Sequence, residues 1–251
     1  MTAVRRSPST FTCGSQQNYT YNFWIYLKLN TFNRIYKIIF SVGCILIPFI
    51  VSGIFLTHDN FPGHSKLRFW LDKKLVRTRS ISGDFNKAHP LSHKIIYILG
   101  GHQHSLISRF KTAAVLYEAY DMPKINILSR PGITEYDLQL KRNLTNDEWA
   151  IKRLEEFGIT NNNIQPLMVT QGCFGTLAEA RGVSQEVVRK GYDVLILVTS
   201  SYHTARVFES FSKYLKGTQV TFFVYGSNDS LGLWGLILEY VKLQIYKYIL
   251  L

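Results

Sequence analysis

Residues 194–206 read VLILVTSSYHTAR, and this run decides the fold. Five aliphatic residues in succession, Val194 to Val198, leave no polar alternation for a face in water. A strand of that kind is covered on both sides, as in a parallel sheet. Hydroxyls, an imidazole and a guanidinium follow at once, in Thr199, Ser200, Ser201, Tyr202, His203, Thr204 and Arg206. Packing alone does not call for that chemistry in the first turn of a helix. Ligands of open parallel sheets bind beyond the carboxyl ends of the strands, which is where these residues fall.

Working outward, similar short apolar runs occur at 95–99, 125–128, 167–169 and 220–225. Helical patterns separate them. Leu106, Phe110, Ala113, Tyr117 and Tyr120 share one face by 4-3-4-3 spacing. Thr145-x-x-Glu148 predicts a capping box for a helix stopping at Gly158, and Thr176-x-x-Glu179 predicts another for a helix stopping before Gly191. A fourth helix follows Ser200 or Ser201, and Trp234, Leu238, Val241, Ile245 and Tyr248 mark a fifth. Strands alternating with helices predict an α/β fold, a three-layer sandwich around a mostly parallel, Rossmann-like sheet.

The N-terminal part has a different composition. Residues 38–56, IIFSVGCILIPFIVSGIFL, carry no charge and as a helix span roughly 28 Å, enough for a bilayer. The arm before them is long and no A-x-A-like cleavage site follows, so the segment reads as one transmembrane anchor rather than a signal peptide. The expected organisation is an arm at 1–37, the anchor at 38–56, a basic juxtamembrane linker at 57–93 with a short helix at 67–75, and the α/β domain at 94–251. Lys and Arg flank both ends of the anchor, and the positive-inside rule alone leans toward a cytoplasmic domain. The formal charge of +12 gathers beside the anchor, which suits anionic lipid. No module that reads DNA or RNA is recognisable, so no nucleic-acid partner is expected. Cys13, Cys44 and Cys173 form no framework and leave the redox compartment open.

Three strand-to-helix junctions hold the candidate chemistry. Gly100 and Gly101 would bring backbone N–H groups close to a ligand, with Arg109 following on the helix. Thr176 and Glu179 read equally as a helix cap or as site residues. The third junction contributes Thr199, Ser200, His203 and Arg206. A helix N-terminus disfavours protonated His203, leaving a neutral imidazole able to accept a proton. His102, His104 and His203 lack the cysteine or carboxylate spacing of a metal site, so no metal is expected. Nucleotide loops and the common hydrolase motifs are absent.

Together these junctions resemble the bacterial YdcF/SanA/ElyC family. Gly100, Gly101 and Arg109 match its first motif, and Thr176 and Glu179 match part of its second. Val198, Thr199, Ser200, Tyr202, His203 and Arg206 match V-T-S-x-Y-H-x-x-R, and Glu239 and Lys242 match a closing E-x-x-K. The resemblance spans about residues 94–250. Departures are Ser129-Arg130-Pro131-Gly132 in place of Ser-Gly-Gly, Gly175 and Ala180 in place of asparagines, and Val207 in place of an alanine.

The resemblance implies a single-pass protein of the bacterial inner membrane with its domain outside the cytoplasm, engaged in cell-wall or surface-polysaccharide biogenesis. It also implies S-adenosylmethionine as a ligand, since one family member is reported to bind it. Two functions follow as expectations. In the first, the chain is an enzyme acting on an anionic, phosphate-linked envelope precursor such as a lipid-carried sugar. Arg109 and Arg206 would clamp the anion, His203 would be acid or base, Glu179 would share its proton, and Gly100-Gly101 would supply donors. In the second, the same pocket belongs to a non-catalytic regulatory module that binds a nucleotide-like molecule.

Overall fold

The computed structural model describes residues 63–81, 93–170, 172 and 174–251. The arm, the segment 38–56 expected to be an anchor, and residues 57–62 and 82–92 of the expected linker lie outside these. No helix among the described residues is long and apolar enough to cross a membrane.

The central sheet has five strands, β1 (Lys94–Ile98), β2 (Ile125–Ser129), β5 (Ile164–Met168), β6 (Val194–Ser200) and β7 (Thr221–Ser227). Their order is β5-β2-β1-β6-β7, every pairing is parallel, and Ile96 lies between Ile125 and Ile196. Between them run α2 (Gln103–Ala119), α3 (Asn146–Glu156), α4 (Gly175–Arg189) and α5 (Thr204–Leu215).

Strand periodicity divides the core into two layers. Ile96, Ile98, Val194, Ile196 and Val198 face Phe110 and Ala113 of α2 and Trp149 and Leu154 of α3. Ile95, Tyr97, Leu195 and Leu197 face Val183 and Val187 of α4 and Val207 and Phe211 of α5. The absence of alternation along 194–198 is explained by this double coverage. Because the chain extends from β1 to β2 and β5 on one side and to β6 and β7 on the other, the order reverses between β1 and β6.

Two regions differ from expectation. Part of the 57–93 linker belongs to the domain: α1 (His64–Leu75) buries Leu71 and Leu75, and Arg79 forms an antiparallel bridge with Val224 on the edge strand. An antiparallel hairpin, β3 (Ile133–Asp137) with β4 (Arg142–Thr145), is inserted between β2 and α3. Its turn is made by Asp137, whose carboxylate accepts from the N–H groups of Gln139 and Leu140, both at 2.9 Å. The last helix, α6 (Leu233–Ile245), runs into a five-residue π turn, Tyr246–Leu250.

The two T-x-x-E motifs behave differently. Thr145 and Glu148 form the expected capping box, reinforced by Arg142 on the Glu148 carboxylate. Helix α4 starts at Gly175 with Phe174 as N-cap, and neither Thr176 nor Glu179 caps it. Both are drawn into the tertiary structure instead.

Candidate functional site

At the point where the strand order reverses, Arg109 fills the crevice. Its Nη1 donates to the Leu99 and Gly100 carbonyls at 2.8 and 2.7 Å, while Nε and Nη2 reach Ser200 Oγ at 3.2 and 2.7 Å. The guanidinium therefore ties the tip of β1 to the tip of β6. It is 2 % exposed, and burial pulls its pKa down against the charge of Asp229. Four of the five guanidinium N–H groups are committed in this way, so Arg109 has a structural role beside the ligand role expected of it.

The neighbouring glycines are explained by the same arrangement. A Cβ on Gly101 would stand 2.8 Å from Arg109 Nη1, and one on Gly100 would stand 2.7 Å from Arg130 Nη2. Two guanidinium groups thus press against this short loop, which has no room for side chains. The Gly100 N–H is taken as well, by Glu179 Oε1 at 2.9 Å.

Ser200 donates to Asp229, which also accepts from Tyr202 and Ser227 at 3.2 and 3.0 Å. Thr199 and Ser200 are 1 % and 0 % exposed, so their side chains serve the scaffold rather than a ligand. Asp229 had no motif to announce it.

A second cluster lies on α5 and α6. His203 Nδ1 is 2.9 Å from Glu239 Oε2 and 2.8 Å from Arg206 Nη2. Arg206 donates to Thr176 Oγ1 at 2.7 Å and to Glu239 Oε2 at 3.0 Å, and Lys242 closes the group on Glu239 Oε1 at 2.7 Å. Thr176, His203 and Arg206 therefore meet. The carboxylate beside His203 is Glu239, however, whereas Glu179 is bound to Tyr97 and Gly100.

Desolvation lowers the pKa of His203, Arg206 lowers it further, and Glu239 only partly offsets this. The imidazole is neutral near pH 7. Nδ1 either donates to Glu239, leaving the Nε2 lone pair for an incoming proton, or accepts from Arg206, leaving the proton on Nε2. Arg206 Nε is buried with no partner among the described residues.

Burial acts to raise the pKa of Glu239, but His203, Arg206 and Lys242 together hold it down at about 2. A carboxylate depressed from about 4.5 stabilises the fold above that value, and the benefit is lost as pH falls toward 2. Glu239→Gln is expected to remove about 3 kcal/mol at pH 7 and to flatten the acid limb of the stability profile. Thermal unfolding of both proteins between pH 3 and pH 8 checks this, and parallel profiles would refute it.

The open space lies over β1, β2 and β5. Cavities of about 360, 160 and 630 Å³ adjoin one another there, and Arg130, at the end of β2, lines all three. None of the three is lined by His203 or Arg206. The Arg130 guanidinium makes no hydrogen bond or ion pair among the described residues, although its charge is felt by Glu179. Glu179 borders the first of these cavities, and burial raises its pKa despite the donors from Gly100 and Tyr97. Asp147, on the wall of the largest, accepts from Ser129 through Oδ2, while its Oδ1 is buried without a partner. The Arg130 guanidinium faces this space, whereas Asp147 Oδ1 is shut away from it. Among the described residues no three His, Cys, Asp or Glu side chains are grouped to hold a metal ion.

No protein-family model matches this chain, and neither does any curated protein.

Proposed function

We propose that the domain binds a phosphate-bearing sugar or nucleotide, of the kind carried by lipid-linked envelope precursors, in the space over β1, β2 and β5. The observation that carries this reading is Arg130, a guanidinium with no hydrogen-bond or ion-pair partner among the described residues and shared by three adjoining cavities. Its planar fork suits a phosphate.

The motif resemblance supports an envelope protein of the YdcF/SanA/ElyC type, held in the bacterial inner membrane by residues 38–56 with the domain outside the cytoplasm. In an enzymatic form of the proposal, Arg130 holds the anion and Glu179, which borders the same space and whose pKa burial raises, is the acid or base, while His203 and Arg206 stand outside that space. S-adenosylmethionine fits less well, because its sulfonium charge would face the guanidinium of Arg130.

Calorimetric titration of the detergent-solubilised chain with pyrophosphate, a nucleoside diphosphate sugar and S-adenosylmethionine tests the reading. The nucleoside diphosphate sugar is expected to bind most tightly, with affinity falling as salt rises. Failure of both anions to bind at low salt, or preference for S-adenosylmethionine, would overturn it.

A further inference from the structure

Helix α6 is apolar on two opposite sides. Leu233, Leu236 and Leu243 point into the domain. Trp234, Leu238, Val241 and Ile245, spaced 4-3-4, form a second stripe that is 36–48 % exposed. The stripe continues into Tyr248 and Ile249 of the π turn, which are 74 % and 75 % exposed. A helix on a water-facing surface ordinarily turns polar residues outward. Helix α1 packs beside α6, with Trp70 and Tyr240 rings 5.0 Å apart, and adds the exposed Phe69 and Trp70. The two helices lie side by side, and both carry exposed aromatic or aliphatic residues.

The charge around these residues is of one sign. Lys66, Arg68, Lys73, Lys74, Lys242 and Lys247 lie on these segments, against Asp72 and the buried, ion-paired Glu239. Exposed aromatics flanked by lysines suit the headgroup region of an anionic bilayer, whereas lysine is depleted at protein interfaces. Chain connectivity agrees. Only residues 57–63 separate the uncharged run 38–56 from α1, and fully extended they reach about 25 Å.

We propose that the face formed by α1, α6 and the C-terminal turn rests on an anionic lipid surface. The proposal relies on the reading of 38–56 as an anchor. It goes beyond the proposed function: Glu239 lies on the inner side of α6, so the His203–Arg206 cluster, which is outside the proposed anion site, would stand about one helix diameter from the headgroups. A substrate carried on a lipid could then reach the domain without leaving the membrane.

The four tryptophans provide the test. The full chain with Trp24→Phe is incorporated into vesicles of phosphatidylglycerol and phosphatidylcholine, with and without bromine on the acyl chains. Trp70 and Trp234 are expected to lose most of their emission to bromine, while Trp149, buried in the core, keeps its own. Adding Trp70→Phe and Trp234→Phe should leave only unquenched emission. Pure phosphatidylcholine should quench less than the anionic mixture. A chain that incorporates but shows equal emission in brominated and plain vesicles overturns the docking proposal alone, including the case where a second copy covers the face. A chain that stays out of the vesicles overturns the docking and the anchor together.

Discussion

Arg109→Ala is expected to destabilise the protein by about 3–5 kcal/mol, the cost of leaving several buried acceptors unpaired and opening a cavity. The expected size follows from what the substitution leaves behind. Leu99 and Gly100 lose the donor on their carbonyls, and Ser200 loses two contacts. Asp229 loses the charge of Arg109, with which it interacts through Ser200. An empty volume the size of a guanidinium then opens between the tips of β1 and β6. Arg109→Lys retains the charge but cannot span both strand tips, so an intermediate loss is expected. The measurement is denaturant unfolding of the detergent-solubilised chain, followed by near-ultraviolet circular dichroism. A double-mutant cycle with Asp229→Ala should show coupling above about 1 kcal/mol, because the two groups share Ser200. Wild-type stability together with lost ligand affinity would return Arg109 to the role of an anion clamp.

The contrast between that role and the one expected from sequence shows what spacing can reveal. β1 and β6 are legible because coverage on both faces turns each into an unbroken apolar run, and the α2 face through its 4-3-4-3 spacing, whereas the edge strand β5, expected at 167–169, spans Ile164–Met168 and is half-exposed. The β3–β4 hairpin is not legible. Most of its residues are exposed, so no hydrophobic pattern marks it, and Asp137 builds the turn without the usual glycine.

Identical local motifs also diverge once tertiary partners compete for them. Glu148 is at the surface and free to fold back on Thr145, so its capping box forms. Glu179 meets the Tyr97 hydroxyl and the Gly100 N–H, and Thr176 meets Arg206, so the second box does not. Sequence reasoning marked Arg109 as a useful cation, but its burial depends on Ser200, 91 residues away. Likewise, the choice of Glu239 over Glu179 beside His203 depends on where α6 docks, which no local pattern encodes. Asp229 has no motif at all, and Arg130 shows in the sequence only as a departure from Ser-Gly-Gly.

That departure leads to the prediction on which the ligand reading turns. Arg130→Glu is expected to weaken binding of a nucleoside diphosphate sugar about 10- to 100-fold, the loss of one or two charge-assisted hydrogen bonds. Stability should stay within about 0.5 kcal/mol of wild type, since an exposed side chain with no partner among the described residues leaves nothing unpaired when it goes. The new carboxylate would repel the phosphate and, beside the buried Glu179, push that group further toward its neutral form. Arg130→Lys should recover part of the affinity, as a point charge without the fork. Gly100→Ala should imitate the loss in part, because the added methyl would stand 2.7 Å from Arg130 Nη2 and 2.5 Å from Leu128 Cδ2 and displace both. Arg109 and Arg130 thus make opposite claims on the same loop: one substitution should cost stability and spare affinity in the molecules that fold, the other should cost affinity and spare stability. If Arg130→Glu binds as tightly as the wild type, the space over β1, β2 and β5 is not the anion site.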